Sequence, residues 1–427
     1  MGQVIVTLDG MDVTDVCVAG NWRRRLNRPS TAQVRIPMQE VSADVGSLLK
    51  IEALVGTTWQ IVHHGRVLNC ETDTGEDTGY TVYNSTDPME LWQWRPVRAD
   101  DCDFTKPAGS GETNGNDIFA TYLTGPAIME AVLTNTVYCG DGSQADNEGS
   151  IFLDMGTFAG GGVDLSGAPT DWPMTIAELA SLLISTGELD LVITPTDPGG
   201  DVMGTIDGYN GDFGTDLSGS IVFSYGMGDF NVRRLRWNQD MTTMVNKLWI
   251  YGGPRLATAA DPAGDQHWCF NVTGTDGGAA HIPPYTGGLA YPPGGDLSPP
   301  ASATNNQLGV LRAASEAAYG VRMDIQIYDA YDDCGGVGAV GRDLFRYRWQ
   351  QESWLRAQPR EIIHVTPTRE TEIGTFDIGD LVGVEATTAV RGGFSGAQRV
   401  YEYTVSWDND GVLELSELQT SADNEGL

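Results

Sequence analysis

A chain of 427 residues with 41% hydrophobic content can fill packed interiors, but it is too long for one ordinary core, so two to four domains are expected. Its 58 acids against 25 bases give a net charge of −33, with Lys50, Lys106 and Lys247 the only lysines. Such a surface repels a polyanion and argues against sequence-reading contact with DNA or RNA.

Residues 1–98 read as consecutive short strands: VIVTLDG, DVTDVCVAG, AQVRIPM, LLKIEALVG, WQIVHHGRVLNCETD and YTVYNSTD. Asp9-Gly10 is a hairpin signal and Gly56-Thr57-Thr58 a second turn. Helical periodicity enters only at PMELWQW, so a meander closing into a barrel or sandwich is expected. The opening MGQVIVTLDG lacks the basic and apolar regions of a leader, and no run of 18 apolar residues exists. No membrane span is therefore expected, and synthesis and assembly belong in a reducing cytoplasm. Cys17, Cys70, Cys102, Cys139, Cys269 and Cys334 form no C-x-x-C pair and read as buried thiols rather than a disulfide framework.

Residues 99–232 change character and read as an inserted mixed α/β domain. Helix candidates DIFATYL and AIMEAVL are separated at Gly125-Pro126. A third helix runs from Pro173 to Gly187, with Thr175 and Glu178 as a capping box, and LDLVITPT follows as a strand. Residues 233–256 return to strand, and 257–341 are an insertion holding a Pro/Gly-rich arm (257–307), one helix (LGVLRAASEAAYG) and a strand (MDIQIYDAY). From Arg342 an arginine-rich helix runs to Pro359 and leads into EIIHVTPT, DLVGVEA, QRVYEYTVSW and VLELSEL, with a hairpin turn at Asp408-Asn409-Asp410-Gly411. Residues 233–256 together with 342–422 form a second β unit. The fold class is mainly β with α+β insertions.

Catalytic patterns fail in turn. There is no H-E-x-x-H, no phosphate-cradling glycine loop ending in Lys, and no G-x-G-x-x-G between strand and helix. Gly393-Phe394-Ser395-Gly396-Ala397 lacks the closing glycine of a nucleophile elbow and reads as a turn. His63-His64 on one strand point to opposite faces, one toward core or interface and the other toward solvent, so they do not share a metal. Expected catalytic, cofactor and metal residues are none. Two arginine islands stand out in the acidic chain: Arg23, Arg24, Arg25 and Arg28, and Arg342, Arg346, Arg348 and Arg356. Each reads either as a solvated face or as an intersubunit contact, its planar forks pairing carboxylates of a neighbouring copy. Trp92 with Trp94, and Trp349 with Trp354, read as packing residues or as sugar-stacking platforms.

The order RRRLNRPSTAQVRIP, WQIVHHGRVLN, YTVYNSTDPMELWQW resembles the N-terminal tube-type β-barrel of phage tail hub proteins, with Trp59, Gly65, Val67, Asp87 and Leu91 at the matching points. The closing FDIGDLVGVEA…QRVYEYTVSWDNDGVLELSEL resembles the second tube-type barrel of the same proteins, with Gly379-Asp380 and Arg399-Val400 in place. The resemblance implies two tail-tube-type antiparallel barrels flanking a mixed α/β middle domain. It further implies a non-enzymatic homotrimer of pseudo-sixfold outline that closes the tail tube of a long-tailed siphophage at the virion's tail tip. Its implied partners are other copies of itself, a distal tail protein ring, the tape measure protein and further minor tail or fibre proteins, with DNA passing through unbound at genome ejection. The lysine-poor composition points to a GC-rich genome and an actinobacterial host. Two departures are the Pro/Gly arm and the lack of a peptidase or lysozyme extension after the last strand. The alternatives are a carbohydrate-binding or glycan-hydrolysing β protein, which needs an aromatic groove between two carboxyl groups about 5–10 Å apart, and an acidic cytoplasmic enzyme.

Overall fold

Alternation along the strands decides which face is buried. In β4 (Thr31–Pro37) Ala32, Val34 and Ile36 are buried while Gln33 and Arg35 are exposed; in β5 (Leu48–Val55) Leu49, Ile51 and Ala53 take the buried side. The structure is a computed structural model. It describes residues 3–95 except 39, 42 and 75–78; 124–138; 152–159; 175–185; 189–244 except 212, 227–229 and 243; 247–254; 266–270; 317–328 except 321; and 359–421 except 369–372 and 388–392.

The N-terminal segment contributes β1 (Val4–Leu8), β2 (Met11–Asp12), β3 (Ala19–Arg25), β4, β5, β6 (Thr58–Asp73) and β7 (Tyr80–Thr86), then a 3-10 turn at Pro88–Trp94. Asp9 and Gly10 both hold positive φ (52° and 79°), the hairpin geometry their sequence calls for. The expected second strand is largely replaced by a 3-10 turn at Thr14–Val16. There Asp12 Oδ1 accepts from Thr14 N (3.0 Å) and Thr14 Oγ1 accepts from Val6 N (2.9 Å), so side chains take the place of ladder partners.

The middle module holds α1 (Gly125–Tyr138), β8 (Leu153–Phe158), α2 (Ile176–Ser185), β9 (Asp190–Pro195) and β10 (Gly204–Tyr209), with the sheet ordered β8-β10-β9. The capping box forms as expected: Glu178 N donates to Thr175 Oγ1 (3.2 Å), and Thr175 N donates to Glu178 Oε2 (2.7 Å). Next come β11 (Val222–Tyr225), β12 (Val232–Asp240), β13 (Lys247–Pro254), β14 (Gln266–Phe270) and β15 (Met323–Tyr328). The run 233–256 is two strands, because Asp240 Oδ1 takes both Thr242 N (2.8 Å) and Thr242 Oγ1 (2.7 Å) and turns the backbone. β12 joins the main sheet, whereas β13 pairs with β14 and β15 in a separate one. β14 lies within the Pro/Gly-rich arm; the rest of the arm and the arginine-rich helix candidate after Arg342 lie outside the described residues.

The chain ends with β16 (Arg360–Pro367), β17 (Leu381–Ala386), β18 (Phe394–Trp407) and β19 (Glu414–Ser421). Thirteen strands make one sheet in the order β12-β16-β19-β18-β3-β4-β7-β6-β5-β1-β2, with β17 beside β18 and β11 beside β17. β18 is the shared element: it pairs β17 along 394–399, β19 along 399–406 and β3 along 402–407. At the other side of the N-terminal segment, Gln3 N donates to Gly411 O (3.1 Å) and Leu413 N to Gln3 Oε1 (3.2 Å), so the start of β1 returns to the β18–β19 turn. One core cluster spans the sheet, from Val4, Val34 and Ile51 to Val365, Val384, Val400 and Leu418. The mainly β class matches the strand pattern.

Candidate functional site

The first arginine island sits on β3, where alternation sends Trp22 and Arg24 inward and Arg23 and Arg25 outward. Across the β3–β18 ladder the two outward forks converge on Glu402: Arg23 Nε lies 3.3 Å from Oε1 and Arg25 Nε donates to Oε2 at 2.8 Å. Arg23 also donates to Thr404 Oγ1 (3.2 Å). Arg24 is buried, with Nη2 3.4 Å from Asp377 Oδ2. Burial works against its charge, but Asp377, Tyr403 and Asp87 outweigh that and hold its pKa above the ordinary value. Thus three arginines that read as contacts to a neighbouring copy meet acids of their own chain. Arg28 is exposed; Arg342, Arg346, Arg348 and Arg356 lie outside the described residues.

Behind Arg24, Asp87 caps the 3-10 turn. It is buried and accepts from Ser30 N (2.6 Å) and Met89 N (3.0 Å), and burial pushes its pKa up to about 7. The histidine pair departs from expectation, since both rings are buried. His63 Nε2 is 2.9 Å from Ser85 Oγ; burial, with His64 and Arg24 adding to it, pushes its pKa down to about 3. His64 Nδ1 is 2.7 Å from Thr196 O, so the connection after β9 covers the face that was expected to meet solvent. Among the described residues no group of His, Cys, Asp and Glu could hold a metal ion, and Cys17 and Cys70 are free thiols. Trp92 is buried, which leaves it no sugar-stacking face, while Trp94 is 64% exposed.

A second constellation joins three segments at one point. Asp190, the first residue of β9, pairs with Arg399 of β18 at 2.5 Å, their side chains 2% and 5% exposed. Arg399 also donates to Phe213 O (2.7 Å), Gly379 O (3.3 Å) and Gly211 O (3.4 Å). Asn27, in the turn after β3, holds a positive φ of 62°, donates to Asp190 Oδ1 (2.9 Å) and accepts from Leu191 N (2.6 Å). Leu26, Val192, Ile378 and Tyr401 close an apolar cluster in which the same three segments meet. Sequence reasoning missed this junction. The available signal was Arg399 directly before the apolar and aromatic run Val400-Tyr401, a charge that must find a partner if buried.

Between the β5–β6 hairpin and the loop 373–380 lies a cleft of about 260 Å³. Trp22, Phe376 and Tyr403 are among its walls, with Arg24, Asp377, Asp380 and Gln60 supplying the polar groups. Asp377 Oδ1 accepts from Tyr403 Oη (3.1 Å) and from Ile378 N (2.8 Å), and Asp380 accepts from Thr215 N (2.7 Å) and Asp377 N (2.8 Å). The paired acids are thus held by backbone amides and by the Tyr403 hydroxyl.

No family model matches the chain, and no curated protein matches it. Solved structures do. The chain is similar to the 43 kDa tail protein of prophage MuSo2 from Shewanella oneidensis, at 13% identity and a TM-score of 0.54 over 99% of both chains. It is also similar to the tail protein from Neisseria meningitidis MC58, at 10% identity and a TM-score of 0.53 over 99% of this chain and 97% of that one. At these identities the likeness establishes a shared fold.

Proposed function

We propose that this chain is a structural component of a phage tail, and more narrowly the hub subunit that closes the tail tube at its tip. The observation that carries the reading is the end-to-end likeness to two tail proteins, in a chain whose polar constellations serve to hold its own segments together. Three subunits, each lending two tube-type β units, form a pseudo-sixfold ring. That ring meets the distal tail protein and the tape measure protein on one side and minor tail or fibre proteins on the other. We take the two β units as 1–98 and 233–256 with 342–422, around the inserts 99–232 and 257–341, with β11 moved into the second unit and β13 moved out of it into the sheet it shares with β14 and β15. DNA passes through the bore without being gripped. Part of the net charge of −33 faces that bore and repels the duplex over roughly 8 Å at physiological salt. Arg23, Arg24, Arg25 and Arg28, with the arginines at 342, 346, 348 and 356, are the proposed contacts between copies, the first three in addition to the intrachain pairs described above.

Electron microscopy of the concentrated, purified chain tests the reading. Threefold rings with six similar lobes around an open centre are the expected result. Single-chain particles that stay single when co-expressed with neighbouring tail proteins, or a ring with a basic bore, would sink it.

A further inference from the structure

The cleft between the β5–β6 hairpin and loop 373–380 is not used by any contact described so far. We propose that it receives an arginine or lysine side chain presented on a loop of a neighbouring protein. Its volume of about 260 Å³ falls below the roughly 300–1,000 Å³ of pockets that take drug-sized ligands, which suits one long side chain and its backbone. The partly exposed Val55, Ile61, Val62 and Ile373 give such a stem apolar walls, beside Phe376, which meets Tyr403 edge-on at 5.9 Å. Charge sets the sign of the guest. Among the described lining residues Asp377 and Asp380 face one cation, Arg24, which leaves one negative charge in excess.

Asp377 is positioned for this role. Its side chain is 49% exposed, and its Oδ1 is anchored by Tyr403 and Ile378. Among the described residues Oδ2 has the 3.4 Å contact to Arg24 alone and keeps lone-pair capacity for an incoming donor. Arg24 stands behind this carboxylate. It is buried, and its Nε has no acceptor among the described residues. A basic residue brings a donor cation for Asp377, whereas an acidic one is repelled and an apolar one leaves Asp377 unserved. That the bearer belongs to a tail assembly rests on the function proposed above; the chemistry of the cleft does not.

Saturation-transfer NMR on the purified full chain decides it, with N-acetyl-arginine amide and N-acetyl-lysine amide as probes and the leucine and glutamate amides as controls. The basic probes are expected to bind in the millimolar range and the controls not at all. Asp377→Asn is expected to weaken binding about fivefold or more. Gln60→Trp, at an exposed lining position, is expected to block the mouth without touching Asp377, and thermal melts confirm that both variants fold. Equal transfer to the leucine amide, no transfer to the basic probes, or indifference to both substitutions would overturn the proposal. A ring that assembles around an inert cleft refutes the cleft alone, and arginine binding by a chain that never forms rings refutes the ring alone.

Discussion

The Asp190–Arg399 pair is the residue-scale feature with the largest expected effect. Both charges are removed from water, and Arg399 makes further bonds to three carbonyls. Arg399→Met strands a buried carboxylate and is expected to cost about 3–5 kcal/mol in urea unfolding, while Asp190→Leu combined with Arg399→Met recovers part of that loss. The pH response separates two neighbouring buried groups. Asp87 has a folded pKa of about 7 against an ordinary 3.8, so its proton stabilises the fold, and that contribution drains away as pH climbs from about 4 to 7. His63 has a folded pKa of about 3 against an ordinary 6.5, so its contribution is whole above 6.5 and is lost as pH falls toward 3. Between about pH 4 and 6.5 the two slopes oppose. The melting temperature of His63→Gln is therefore expected to fall with rising pH across that window, and that of Asp87→Asn to rise. The unaltered chain should be flatter than either.

At the scale of elements, two residues singled out by pattern have plain mechanical reasons. A Cβ on Gly65 would sit 2.0 Å from Thr86 O, where β6 and β7 cross-pair, and backbone cannot retreat. Gly65→Ala is expected to cost about 2 kcal/mol or more, read as a lowered denaturant midpoint with unchanged slope. Gly379 holds φ at 86° so that Asp380 can reach Thr215 N and Asp377 N. Elements whose residues face a neighbour close in sequence were legible from the chain alone. β1, β4, β5 and β7 followed their alternation, α2 followed its capping box, and the turn at Asp408–Gly411 followed its Asn-Asp-Gly chemistry, with Gly411 at φ 64°. What was not legible depended on distant partners. Nothing local to Glu402 announces Arg23 and Arg25, and nothing local to Asn27 announces Asp190.

On the scale of the whole molecule, the acidic excess governs how copies meet. Where described, acids on the main sheet are often matched: Glu402 by two arginines, Glu414 by Arg233, and Glu52 by Lys50. The remaining charge opposes assembly of like chains, and salt screens it, the Debye length falling from about 30 Å at 0.01 M to about 3 Å at 1 M. Association of the purified chain, followed by sedimentation, is expected to strengthen as salt is raised; weakening would mean that complementary charges dominate the contact. The site at this scale was half legible. The arginine cluster could be picked out, but whether it served a neighbouring copy or the chain itself depended on β18 lying beside β3.

The hydrogen bond from Leu413 to Gln3 spans 410 residues. A nascent chain emerging from the ribosome therefore carries β3 with one edge unsatisfied, and Gln3 without its partners, until β18 and the turn after it have been translated. Contacts this distant in order of synthesis close late and slowly, and bare strand edges invite wrong pairing meanwhile. Completion of the main sheet thus waits for the synthesis of β18, and the yield in the cell is expected to depend on how well the open edge of β3 is shielded meanwhile.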